Sequence, residues 1–181
     1  MTTSSTLEQK RIDALLRYNI LDTPHEGDFD EIVELASKIC GTPISLVSLI
    51  DENRQWFKAN KGLSINETPR EIAFCAHAIQ QNDMMIVEDV TLDSRFKNNP
   101  LVTSDPDIRF YAGMPLTTTD GFKLGTLCVI DKVARVLTED QQSALQTLAK
   151  QVIRLIDLRF NIKNFKSTPI KFVNKIKNSK T

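Results

Sequence analysis

Cysteine, histidine, tryptophan and long apolar runs are all scarce in this chain of 181 residues, and each scarcity excludes a class of protein. Three cysteines, an odd number spread widely at Cys40, Cys75 and Cys128, do not make a disulfide framework, and they suit a reducing cytoplasm. Two histidines offer little to a metal centre: Cys75 and His77 supply two ligands where zinc takes three or four at recognisable spacing, so no metal is expected. No apolar run approaches the length that spans a membrane, and the first ten residues are too polar for a signal peptide. What remains is ordinary globular material, 41% hydrophobic and 25% charged. A chain of this length makes one domain with modest extensions and buries roughly 70% of its unfolded surface.

A formal charge of zero hides an asymmetry. Residues 161–181 hold six lysines and no acid, so residues 1–160 keep 17 of the 23 basic residues and all 23 acidic ones, a formal −6. The acidic body argues against nucleic acid as a partner. Phe165, Ile170, Phe172, Val173 and Ile176 interleave with the lysines, which also suits an anionic surface. Ser167, Thr168 and Pro169 interrupt any helix there, and the expectation is a domain over 6–160 followed by a basic, flexible tail over 161–181.

Helix and strand signals alternate along the body. Thr6 with Gln9 is a capping box opening a helix that carries Leu7, Ile12, Leu15 and Leu16. Asp28 with Glu31 opens a second, with Phe29, Ile32, Val33, Leu35, Ala36 and Ile39 in helical spacing and Gly41 as its stop. Residues 44–50 are nearly all β-branched or leucine and predict a central strand buried on both faces, turned by Asp51 to Arg54 into a second strand over 55–59. A short helix over 72–79, a short strand over 84–87 and a long loop over 89–107 follow. Residues 108–117 and 123–130 form a hairpin around Asp120 and Gly121, and Thr138 with Gln141 caps a long final helix bearing Leu145, Leu148, Val152, Leu155 and Ile156. Consecutive hairpins between terminal helices predict an α+β domain: an antiparallel sheet of five or six strands, the first, second and last helices on one face, and the 72–79 helix with the long loop on the other.

Three blocks carry the candidate chemistry: Asp-Glu-Asn-Arg-Gln-Trp-Phe at 51–57, Glu-Thr-Pro-Arg-Glu-Ile-Ala-Phe-Cys-Ala-His at 67–77, and Ile-Arg-Phe-Tyr-Ala-Gly-Met-Pro-Leu at 108–116. Alternation in the last places Ile108, Phe110, Ala112, Met114 and Leu116 on one face and Arg109, Tyr111, Gly113 and Pro115 on the other. Aromatic walls, a thiol, an imidazole and a guanidinium without a readable nucleophile–base pair suit holding a ligand better than transforming it. Structural alternatives stand beside each: Trp56 and Phe57 as packing, His77 hydrogen-bonded to a loop, Arg95 and Arg109 paired with Asp89, Asp93, Asp105 or Asp107.

The order and spacing of these blocks, together with the opening Arg-Ile-Asp-Ala-Leu at 11–15 and Ile-Leu-Asp-Thr-Pro at 20–24, resemble the GAF domain family over residues 11–159. The resemblance implies a sensory fold with a ligand pocket beneath the short helix and the long loop. Trp56, Phe74, Cys75, His77, Asp89, Phe96, Arg109, Tyr111 and Gly113 are then the candidate ligand-binding residues; neither the ligand nor any cofactor is specified. It also implies homodimerisation through the first and last helices. The spacing of Leu145, Leu148, Val152, Leu155 and Ile162 fits either a coiled-coil seam or one face packed on the domain's own sheet. No output domain follows, so the expectation is a module acting through a signalling partner or a piece of something longer.

Three function classes follow: a non-catalytic small-molecule sensor, a structural dimerisation module, and an enzyme. The enzyme class rests on a GAF-like branch that reduces free methionine sulfoxide with an attacking and a resolving thiol. Cys75 falls in the pocket helix, but residues 108–111 bring no second thiol, Cys40 ends the second helix, and Cys128 shares a strand side with Leu124 and Ile130, which reads as core. No catalytic residue is therefore assigned. The residues associated with cyclic-nucleotide binding and with bilin attachment are not evident either.

Overall fold

The computed structural model describes residues 2–167, with side chains from 6 to 165. Six strands form one antiparallel sheet: β1 (Ile44–Ile50), β2 (Arg54–Lys61), β3 (Glu67–Pro69), β4 (Met85–Val87), β5 (Phe110–Thr117) and β6 (Lys123–Asp131), in the order β3-β2-β1-β6-β5-β4. The helices are α1 (Thr2–Arg17), α2 (Gly27–Cys40), α3 (Phe74–Ala78), α4 (Pro100–Thr103) and α5 (Glu139–Ser167). This is the α+β arrangement the sequence predicts. Among the described residues no helix is long and apolar enough to cross a membrane.

Central β1 is buried at every position, as its largely aliphatic run requires, and its two serines are satisfied by the Cys128 carbonyl and Thr126 Oγ1. One layer of core lies between the sheet and α1, α2 and α5: Leu15, Phe29, Val33, Val152 and Ile156 meet Val47, Leu49, Trp56, Phe110, Leu127 and Val129. A second layer lies on the opposite face, where Leu46, Ile50, Phe57, Tyr111 and Cys128 meet α3 and the 89–107 segment through Phe74, Cys75, Phe96 and Val102.

Some local signals act where the sequence places them. Thr138 and Gln141 exchange the two hydrogen bonds of a capping box, at 3.0 and 3.2 Å. Gly41 ends α2 with φ +64°, the left-handed conformation glycine adopts without strain. Others do not. α1 is already helical at Thr2, so Thr6 lies inside it. α2 begins at Gly27 with no side-chain cap, and Asp28 and Asp30 instead face the positive end of its dipole. The 72–79 helix divides into a 3-10 turn at Arg70–Ile72 and α3, because Ala73 is extended between them. Residues 161–167 are helical rather than the start of a tail; the remainder of the expected tail lies outside the described residues. In α5, Leu145, Val152 and Ile156 pack on the domain's own sheet, whereas Leu158 and Ile162 are exposed.

The Ile-Leu-Asp-Thr-Pro stretch is a joint. β2 bulges opposite Val47 and Ser48, where buried Lys58 donates to Thr23 Oγ1 (3.1 Å), the Pro24 carbonyl (2.7 Å) and Glu26 Oε1 (2.7 Å). Arg159 of α5 reaches the same Glu26 oxygen at 2.8 Å, and Asp22 pairs with Arg54 at 2.7 Å. Burial pushes the Lys58 ammonium down from its ordinary value, while Glu26 opposes that shift. The exit of α1, strand β2 and the last helix are thus fastened at one charged point.

Candidate functional site

The face opposite the long helices carries a polar cluster within an apolar layer. Four neighbouring strands supply it: β2 gives Gln55 and Phe57, β1 gives Ser48, β6 gives Thr126 and Cys128, and β5 gives Tyr111. From above, α3 lowers Phe74 and Cys75 onto the sheet. Phe96, Phe74 and Tyr111 form an aromatic stack, with ring centroids 4.3 and 5.3 Å apart.

The Cys75 thiol is the centre of this cluster. Tyr111 Oη donates to Cys75 Sγ at 3.2 Å, and Cys128 Sγ stands 3.9 Å away. Ser48 and Thr126, whose hydroxyls are 3.2 Å apart, close the floor. Tyr111 reaches this position because residue 113 is glycine: a Cβ there would lie 2.1 Å from the Tyr111 hydroxyl oxygen. Burial by itself would raise the Cys75 pKa, yet hydrogen bonds from Cys128, Ser48, Thr126 and Tyr111 outweigh it and hold the thiol below its ordinary range. The neighbours shift the other way. Tyr111 is pushed well up by burial and by the two sulfurs, and Cys128 by its bond to Cys75 and by burial.

Beside the thiol is a cavity of about 40 Å³, walled by Phe57, Phe74, Cys75, Leu101, Tyr111 and Gln55 among others. Gln55 Nε2 donates to Thr68 Oγ1 at 3.2 Å, but Gln55 Oε1 is buried without a partner. It is the sole side-chain atom of that kind among the described residues, and such an atom costs about 1–3 kcal/mol until a donor reaches it. Ile65, a wall residue, is itself 45% exposed, so the cavity lies one side chain from solvent.

The nine expected site residues separate. Phe74, Cys75 and Tyr111 wall the cavity, Phe96 stacks behind Phe74, and Gly113 makes the space for Tyr111. His77 lies outside, its ring edge-on to Phe96 at 4.9 Å, in an open cleft with Glu52 and Arg70. Partial burial and the Arg95 charge lower its proton affinity. Asp89 accepts from the Thr91 backbone N–H and hydroxyl, which makes it a loop former. Arg109 precedes β5 and pairs with Asp107 at 2.6 Å while donating to the Val102 carbonyl at 2.9 Å, so it braces the long loop instead of facing the cavity. Trp56 lies in the helix-side core; its neighbours Gln55 and Phe57 face the cavity.

The largest correction concerns sulfur. The parity that grouped Cys128 with Leu124 breaks at a bulge opposite Leu116 and Thr117, so Leu124 packs under the helices while Cys128 faces α3. A second thiol therefore does stand beside Cys75. Gln55, Ser48, Thr126 and Cys128 were missed as site residues, and strand alternation linking Ser48 with Leu46 and Ile50 was the one signal that could have found any of them. Among the described residues no cluster of three or more His, Cys, Asp or Glu side chains is placed to hold a metal ion.

Comparison with known proteins bears on the family and the fold. Over 138 residues the chain is 45% identical to a cyclic di-GMP phosphodiesterase of Pseudomonas aeruginosa; the match takes in 76% of this chain and 24% of that protein, so the chain spans about a quarter of that relative's length. The GAF domain of a phosphoenolpyruvate-protein phosphotransferase from Coxiella burnetii superposes with a TM-score of 0.64 at 15% identity, covering 86% of this chain and 96% of that one. A free methionine-R-sulfoxide reductase from Neisseria meningitidis, solved with its substrate, gives 0.59 at 16% identity, covering 92% and 95%; likeness at this identity concerns the fold. The GAF domain model matches residues 26–156, well over half the chain, and the chain belongs to the GAF domain family.

Proposed function

We propose that this chain is a sensory or regulatory module that binds a small molecule in the cavity between α3 and the sheet and passes the bound state on through its terminal helices. The observation that carries the reading is Gln55: a buried acceptor without a partner, on the wall of an otherwise apolar cavity, calls for a donor from an occupant. At about 40 Å³ the cavity takes an occupant of only a few heavy atoms, mainly apolar, with one N–H or O–H group. The Pseudomonas relative supports a regulatory role, since the like segment there is a fraction of a longer phosphodiesterase. Exposed Leu7 and Leu16 on α1 and Leu158 and Ile162 on α5 offer the apolar surface for homodimerisation, and sedimentation equilibrium giving a monomer at all concentrations would rule that part out.

Native mass spectrometry of the folded protein tests the ligand reading. A bound small molecule should leave on denaturation, and Gln55→Leu should lower its retention about tenfold, the equivalent of one lost hydrogen bond. No bound mass in the wild type, with Gln55→Leu merely raising the melting temperature, would reduce the cavity to a water site. The 3.9 Å separation of Cys75 and Cys128 supports methionine sulfoxide reduction as a second reading. Against it stands the cavity volume, about 40 Å³, far below what an amino acid occupies.

A further inference from the structure

Cys75 and Cys128 have no role in ligand binding through Gln55. Both are buried, both are free, and they come from different elements, α3 and β6, that meet over the polar floor. Their sulfurs are 3.9 Å apart, and side-chain rotation must bring them together by only about 2 Å to reach disulfide length. We propose that Cys75 and Cys128 are a peroxide-oxidised dithiol, with Cys75 the attacking and Cys128 the resolving sulfur. The geometry fixes those roles. Cys75 is on the cavity wall and Cys128 is behind it, so a reagent entering from solvent meets Cys75 first. A cavity of about 40 Å³ admits a peroxide of nearly water size and excludes bulkier oxidants. Tyr111 Oη, donating to Cys75 Sγ, favours the thiolate over the thiol, and thiolate is the reactive form.

The chemistry balances as follows. Cys75 thiolate attacks one oxygen of hydrogen peroxide, the O–O bond breaks, and the departing hydroxide takes up the thiol's proton as water. Cys75 is then a sulfenic acid. The Cys128 sulfur attacks the Cys75 sulfur, and the sulfenic oxygen leaves with the Cys128 proton as a second water. Two thiols lose two electrons, peroxide gains two, and a dithiol reductant restores the pair by exchange. Disulfide closure draws α3 toward β6 beneath the aromatic stack, a change within the same layer that holds the cavity.

The test uses the full chain, dilute hydrogen peroxide, and peptide mapping of the sulfur states. Wild type should form one disulfide, Cys75 to Cys128, reversed by dithiothreitol. Cys128→Ser should stop at a sulfenic acid on Cys75 that dimedone traps once the protein is unfolded in its presence. Cys75→Ser and Cys75→Ala should react about tenfold more slowly or more. Tyr111→Phe should slow the first step and move its pH midpoint upward, an effect that packing alone would not give. Cys40→Ser, which alters the other face, should behave as wild type. A disulfide that includes Cys40, or oxidation of wild type no faster than of Cys75→Ser, overturns the proposal. So does free methionine sulfoxide oxidising the pair as readily as peroxide, for that would make the site a sulfoxide reductase. Failure of the ligand measurement leaves these sulfur readouts unaffected, so the two readings are told apart.

Discussion

The two faces of the sheet solve different problems with the same strands. Under α1, α2 and α5 the contacts are mostly apolar and the buried charges are partnered: Lys58 has three partners with Arg159 beside them, and Arg11 pairs with Glu8. Under α3 and the long loop the layer holds two thiols, a phenol, two hydroxyls, a cavity and an unpartnered carboxamide oxygen. A protein arranged for stability alone would fill that cavity and satisfy or delete Gln55. The difference teaches where function is to be sought: stability resides beneath the long helices, and chemistry beneath the short one.

Two substitutions sharpen the comparison. Leu15→Ala removes a fully buried side chain from the helix face and should cost about 3 kcal/mol in urea unfolding, while leaving the sulfur chemistry of the folded molecules unchanged. Altered thiol reactivity at equal folded fraction would mean that the faces are coupled. Arg109→Ala should cost about 1 kcal/mol or less, because its ion pair with Asp107 is partly exposed. The effect should show as faster hydrogen exchange over residues 89–107, with retention of any bound molecule unchanged. Weakened retention would restore Arg109 to the pocket.

Strand alternation and helical spacing made the architecture legible. The run at 44–50 is buried on both faces as its composition requires, and in 108–116 Phe110, Ala112, Met114 and Leu116 face the helices as alternation requires, whereas Ile108, before the strand begins, turns to the cavity side. The site was legible only in part, for three physical reasons. Bulges at Val47/Ser48 and Leu116/Thr117 change the face of later residues without any mark in composition, and the second of them moved Cys128 next to Cys75. Alternation also shows that Trp56 opposes Gln55 and Phe57, yet gives no indication which of the two sides is the cavity. Finally, polar side chains near a pocket can bond locally: Asp89 with Thr91, and Arg109 with Asp107 and Val102.

The chain carries an internal comparison in its three cysteines, all buried: Cys40 in the helix-side core, Cys75 and Cys128 on the other face. Burial raises the Cys40 thiol to about 11, whereas hydrogen bonding holds Cys75 below its ordinary range despite burial. The decisive measurement is therefore the order in which these thiols are oxidised by dilute hydrogen peroxide, the reagent small enough for the cavity, in the folded protein near neutral pH, read by mass spectrometry after unfolding and alkylation. Cys75 should react first, and at a rate that rises with pH from below the ordinary thiol value, while Cys40 should react only as fast as the protein unfolds. Equal rates for Cys40 and Cys75, both tracking global unfolding, would contradict the division of labour between the two faces.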